Sequence, residues 1–153
     1  MFLTVHATAG ILIGKYTSNI WLAFLAGFFS HYLMDVVPHG DRDLDLGADK
    51  IKLKKVIKIA LVDGLIMIAI LSILFQRQLI LLTWPILAAI AGQILPDVLT
   101  GFCLLIKSPW LKKYIIFHHL FHRPLKKFDV SFPVGLIIQW GLTMTFIALA
   151  VLL

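Results

Sequence analysis

The residues of this chain best suited to chemistry are its six histidines, which fall in three places. His6 stands near the start of an apolar segment. His31 and His39 frame the run His31-Tyr32-Leu33-Met34-Asp35-Val36-Val37-Pro38-His39. His118, His119 and His122 follow a later apolar segment. Imidazole and carboxylate groups are costly near hydrocarbon unless they bind something, and both are ligands for zinc and its neighbours. His31 and Asp35 are four residues apart, so on a helix they share a face and can hold one ion or each other. His39 joins that face if the helix continues, and needs a turn at Pro38 if it ends.

His118 and His122 are also four apart, and His119 and His122 three apart, so either pairing can supply ligands. The same run, bounded by Pro109 and Pro124, reads equally as a basic, aromatic anchor lying at a membrane surface. Asp97 follows Pro96, which frees backbone carbonyls and re-aims the next carboxylate. Asp63, in Val62-Asp63-Gly64, is the most deeply placed acid. It reads as a ligand, as a partner orienting a liganding histidine, as a general base, or as a protonated carboxyl buried neutral. The run of Asp41, Asp43, Asp45 and Asp49 resembles a calcium loop only in composition, because the chain contains no glutamate to close one. A solvated loop is the better reading, with Asp41 the exception because it adjoins His39.

The elements that must position these groups are set by composition. The 153 residues are 60% hydrophobic with a mean hydropathy of +0.95, and the apolar residues come in long blocks. That identifies an all-α, polytopic membrane protein, with residues 1–153 forming a single domain. About five helices are expected, at residues 2–16, 20–37, 53–75, 79–106 and 132–153, plus a short interfacial amphipathic helix. The first is short for a crossing, which takes about 20 residues. It has no charged leader or small-residue cleavage site and is expected to be retained. Gly10 and Gly14 on one of its faces suit tight packing within the chain or in a second copy, which leaves a homo-oligomer open. Pro85 and Pro96 predict a kink in the fourth helix.

The formal net charge is +6, and the basic residues gather in two connections. One holds Arg42, Lys50, Lys52, Lys54, Lys55 and Lys58; the other holds Lys107, Lys112, Lys113, Arg123, Lys126 and Lys127. By the positive-inside rule both connections and the N-terminus face the cytoplasm. His6, His31, Asp35, His39, Asp97 and the His118–His122 cluster then share one depth at the cytoplasmic face. The single Cys103 excludes a disulfide framework and a thiolate zinc cluster. There is no His-Glu-x-x-His helix, no Gly-x-Ser-x-Gly elbow and no phosphate-binding glycine loop. The basic segments lack the interleaved aromatics of a single-strand nucleic-acid binder, so no nucleic-acid partner is expected.

The stretch His31-Tyr32-Leu33-Met34-Asp35-Val36-Val37-Pro38-His39 resembles the His-x-x-x-Asp…Pro…His stretch of the zinc-dependent phospholipase C and single-strand nuclease superfamily. With His6, Pro96-Asp97 and the His118–His122 cluster, the chain also looks like the small bacterial and archaeal membrane-bound metal-dependent hydrolases. The Asp35–His39 spacing is shorter than in the first pattern, that family's glutamate ligand has no counterpart, and the later Thr-His-Ser element of the second is missing. The resemblance implies metal and hydrolysis.

The expected function is a membrane-embedded hydrolase using a divalent metal, with zinc foremost and one or two ions held by His6, His31, Asp35, Asp97 and the later cluster, and with Asp35 or Asp63 as general base. The basic flanks suggest an anionic phospholipid or another phosphoester as substrate. A small metal-ion or proton transporter is the rival from another class, and a non-catalytic scaffold with a structural ion is the third reading.

Overall fold

The computed structural model describes residues 1–40, 50–106, 109–121, 128 and 130–153, and all extended regular structure among them is helical. Six helices follow in order: α1 Leu3–Lys15, α2 Ile20–Asp35, α3 Lys50–Gln76, α4 Trp84–Ile106, α5 Pro109–Leu120 and α6 Phe132–Leu152. Within α3, α4 and α6 lie apolar stretches of 23, 20 and 21 residues, long enough to cross a membrane. The 13 residues of α1 and 16 of α2 fall short, at about 20 and 24 Å for a 1.5 Å rise per residue. The expected first segment is therefore a short helix whose residues are largely buried, including Thr4 to Ile11 and Gly14.

Glycines bring α1 and α2 onto α4. A Cβ at Gly14 would lie 2.3 Å from the Ile86 Cα, and one at Gly10 would lie 2.8 Å from the Ile90 Cα. A Cβ at Gly27 would meet the Ala89 carbonyl at 2.4 Å, and one at Gly92 the Phe24 carbonyl at 2.2 Å. Such spacing lets helix backbones touch, the usual route to helix association in lipid. Gly10 and Gly14 thus pack within the chain, on α4. The register also fixes direction. Gly14, Gly10 and His6 meet Ile86, Ile90 and Gln93 in turn, so α1 runs antiparallel to α4. Gly27 and His31 meet Ala89 and Gln93, so α2 runs parallel to it.

From α6, Gln139 reaches the start of α1 and Ala150 reaches its end, through Phe2 and Lys15. The N-termini of α1 and α6 therefore lie at the same end of the bundle as the C-termini of α2 and α4. Ala7, Ile11, Leu74, Ile80, Ile86, Ile90 and Ala150 form the apolar core between them. The other end carries exposed Tyr16, Trp21 and Trp84, the amphipathic aromatics that favour a membrane–water boundary. Leu61, Val62, Leu65 and Ile68 of α3 are exposed in the same manner as lipid-facing side chains.

Two prolines behave differently. Pro85 occupies the first turn of α4, where its missing N–H costs nothing, and Ile86 N–H donates instead to the Thr83 hydroxyl at 3.4 Å. Pro96 lies inside α4 and is the one that interrupts the hydrogen-bond ladder.

Candidate metal centre

Helix α1 is anchored by its neighbours. Its N-cap, Phe2, offers no capping side chain. The orphan amides at the helix start are satisfied from other helices: Phe2 N–H donates to Gln139 Oε1 at 2.7 Å, and Thr4 N–H to Asp63 Oδ2 at 3.3 Å. The Thr4 hydroxyl adds a 2.5 Å bond to Asp63 Oδ1. Fixed from α3 and α6, the first turns of α1 place His6, wholly buried, against α4.

Gln93 of α4 then orients two histidines at once. Its backbone carbonyl lies 2.7 Å from His31 Nδ1, and its side-chain oxygen lies 3.0 Å from His6 Nδ1. A carbonyl can only accept, so His31 Nδ1 carries the proton. The Gln93 amide is itself fixed, because its Nε2 donates to the Ser30 hydroxyl at 2.9 Å, and that makes Oε1 the acceptor for His6. Both rings, when singly protonated, turn an Nε2 lone pair toward the end of the bundle. Metal-liganding histidines are held in this way, by an acceptor on the far nitrogen. His6 Nε2 and His31 Nε2 are buried and make no hydrogen bond among the described residues.

Two carboxylates meet these nitrogens. His31 Nε2 lies 3.0 Å from Asp35 Oδ2 and 3.8 Å from Asp97 Oδ1. From α5, His118 Nε2 lies 3.7 Å from Asp35 Oδ2 and 3.5 Å from Asp97 Oδ1. One donor atom from each of His31, Asp35, Asp97 and His118 falls within 4.8 Å of every other. Tetrahedral coordination with bonds of ~2.1 Å separates neighbouring donors by about 3.4 Å, close to these spacings. The group could hold a divalent ion. Three of its members are buried, while the Asp97 side chain is 22% exposed, so access is from the Asp97 side.

His6 sits on the other side of the same carboxylates, its Nε2 3.3 Å from Asp35 Oδ1 and 3.9 Å from Asp97 Oδ2. The Met1 amine approaches Asp35 Oδ1 at 3.0 Å. Helix α5 is docked by Tyr114, whose hydroxyl donates to the Pro96 carbonyl at 3.0 Å. Burial, reinforced by the neighbouring Tyr32 hydroxyl, pushes the Tyr114 phenol above its usual range, which keeps it a donor. Tyr32 in turn packs edge-on against Phe117 and His118.

Besides His6, two further sequence-expected residues stand outside the four-residue group, His39 and Asp63. Helix α2 ends at Asp35, so His39 does not continue its face. The chain instead turns toward α6, where the His39 carbonyl accepts from Gln139 Nε2 at 2.9 Å and its Nδ1 bonds the Val37 carbonyl at 2.7 Å. Gly40, at φ 80°, completes that turn against the Gly135 backbone. Asp63 accepts from the Thr4 amide and hydroxyl at the start of α1 and is not one of the four grouped residues. The His119 side chain, His122, Asp41, Asp43, Asp45 and Asp49 lie outside the described residues.

Gln93 and Gln139 carry the positioning, and the signal for both was present in the sequence. An amide inside an apolar helix is expensive unless it is fully bonded, and both are buried with their oxygens and nitrogens engaged. No family model, curated protein or solved structure matches the chain.

Proposed function

We propose that the protein is a membrane-embedded, metal-dependent hydrolase that works at the cytoplasmic face of the membrane on a phospholipid or related phosphoester. The observation that carries this reading is the convergence of His31, Asp35, Asp97 and His118, drawn from three helices, on one small volume at the end of an apolar bundle.

A divalent ion held there supplies Lewis-acid activation of water and of the scissile phosphoryl group. The chain's own residues do the rest. Gln93 holds His31 in the liganding orientation, and the buried Asp35 carboxylate supplies fixed negative charge. Asp97, the member open to solvent, would hold the ion on the side that water and substrate reach, and the proton of the attacking water leaves to solvent there. Water adds to phosphorus, the ester P–O bond breaks, and the departing oxygen takes a proton. Exposed Lys54, Lys55 and Lys58 at the start of α3, with Lys113 on α5, lie toward the same end of the bundle and suit an anionic headgroup.

The test is release of headgroup or phosphate from labelled anionic phospholipid in mixed micelles, with zinc or manganese added. Turnover that is lost in Asp97→Asn supports the reading. Stable metal binding with no turnover on any phosphoester contradicts it and leaves a structural ion as the role of the group.

A further inference from the structure

The two carboxylates of the centre are shared unequally between their oxygens. Asp35 Oδ2 and Asp97 Oδ1 face His31 and His118. Asp35 Oδ1 and Asp97 Oδ2 face His6 Nε2, at 3.3 and 3.9 Å. His6 is therefore not one more ligand of the first group but the start of a second one, on the opposite edge of the same two carboxylates. Its Nδ1 is fixed by Gln93 and its Nε2, wholly buried, makes no hydrogen bond among the described residues. The His6 and His31 rings stack with centroids 4.1 Å apart.

We infer that Asp35 and Asp97 bridge two divalent cations, one held by His31 and His118 and the second by His6. This rests on the metal-binding reading of the first group. Bridging carboxylates place two ions about 3.5–4 Å apart, the spacing that clamps the attacking and leaving oxygens of a phosphoryl displacement. The second position has fewer protein ligands, one imidazole and two carboxylate oxygens, so water or substrate oxygens complete it and its ion is held more weakly. The Met1 amine, 3.0 Å from Asp35 Oδ1, lies where a positive charge is wanted and is the competing occupant.

The experiment is titration of the detergent-solubilised full chain with Mn(II), read by metal analysis and by electron paramagnetic resonance. Wild type is expected to take up about two ions per chain with an exchange-coupled spectrum. His6→Gln, which keeps bulk and polarity, is expected to retain a single ion with the spectrum of isolated Mn(II). The coupled wild-type spectrum tests the bridge even if the variant does not fold. A single uncoupled ion in wild type overturns the second position, leaves the first standing, and assigns the counter-charge at Asp35 Oδ1 to the Met1 amine. Two ions retained in His6→Gln overturn the role of His6. No bound ion in wild type overturns both positions.

Discussion

The imidazoles of His6 and His31, on different helices, lie ring upon ring with centroids 4.1 Å apart and planes inclined by 26°. Each directs its Nδ1 to an oxygen of the same residue, Gln93, and its Nε2 toward the same pair of carboxylates. One glutamine in α4 thus sets the orientation of histidines on α1 and α2. Changing Gln93 to Leu is expected to weaken divalent-metal affinity by about 10–100-fold, the usual cost of losing the partner that orients a ligand. The backbone carbonyl survives, so His31 keeps its hold and the bundle keeps its fold. Metal titration alongside circular dichroism separates the two effects; unchanged affinity would remove Gln93 from the centre.

The glycine contacts make a second prediction. Gly92→Ala drives a Cβ into the Phe24 carbonyl, and neither backbone can yield without separating α2 from α4. The expected loss is about 1–3 kcal/mol or more, with weaker metal retention, because His31 and Asp35 ride on α2. Gly64 has nothing within 4 Å of its Cβ position, so Gly64→Ala should leave stability unchanged or raise it by about 0.5–1 kcal/mol. Thermal unfolding in one detergent compares the two; equal effects would discount the close packing.

Asp63 is expected to act on the anchoring of α1. Asp63→Asn should lower stability by about 1–3 kcal/mol while leaving metal stoichiometry unchanged. Thr4→Val, which keeps the backbone N–H bond but loses the hydroxyl, should also destabilise, and the double variant should cost less than the sum, because both variants disrupt the Thr4 hydroxyl–Asp63 Oδ1 bond. Loss of bound metal in Asp63→Asn would return Asp63 to the centre.

Tyr114 ties α5, and with it His118, to the interrupted turn of α4. Tyr114→Phe is expected to cost about 0.5–1.5 kcal/mol and to weaken metal retention. Its phenol is raised above the ordinary range by burial, so the folded state favours the protonated form. That contribution is complete below about pH 10 and is lost as pH rises beyond it. Unfolding measured on both sides of that pH should show a decline in wild type that is shallower in Tyr114→Phe, and identical slopes would mean that the phenol carries none of it.

Much of this architecture could be read from residue types alone. Long apolar blocks marked α3, α4 and α6 because a crossing helix needs length and uniform hydropathy, and both are local properties. The pairing of His31 with Asp35 followed from helical spacing. What hydropathy could not distinguish is an apolar helix facing lipid from one enclosed by protein, and α1 is the second kind. Nor could spacing say where α2 stops. Its end at Asp35 sends His39 to α6, although His39 lies one further turn along the same notional face. The double use of Gln93 depends on a side chain and a backbone carbonyl reaching different helices, which only the assembled bundle defines.

The measurement that bears most directly on the centre is the metal content of the protein purified gently without chelator, beside a His31→Ala, Asp35→Ala double variant. Wild type should carry a stoichiometric transition metal, with zinc foremost, and the double variant essentially none while remaining helical. A metal-free wild type that also fails to take up added zinc or manganese would contradict the metal centre and everything proposed to follow from it.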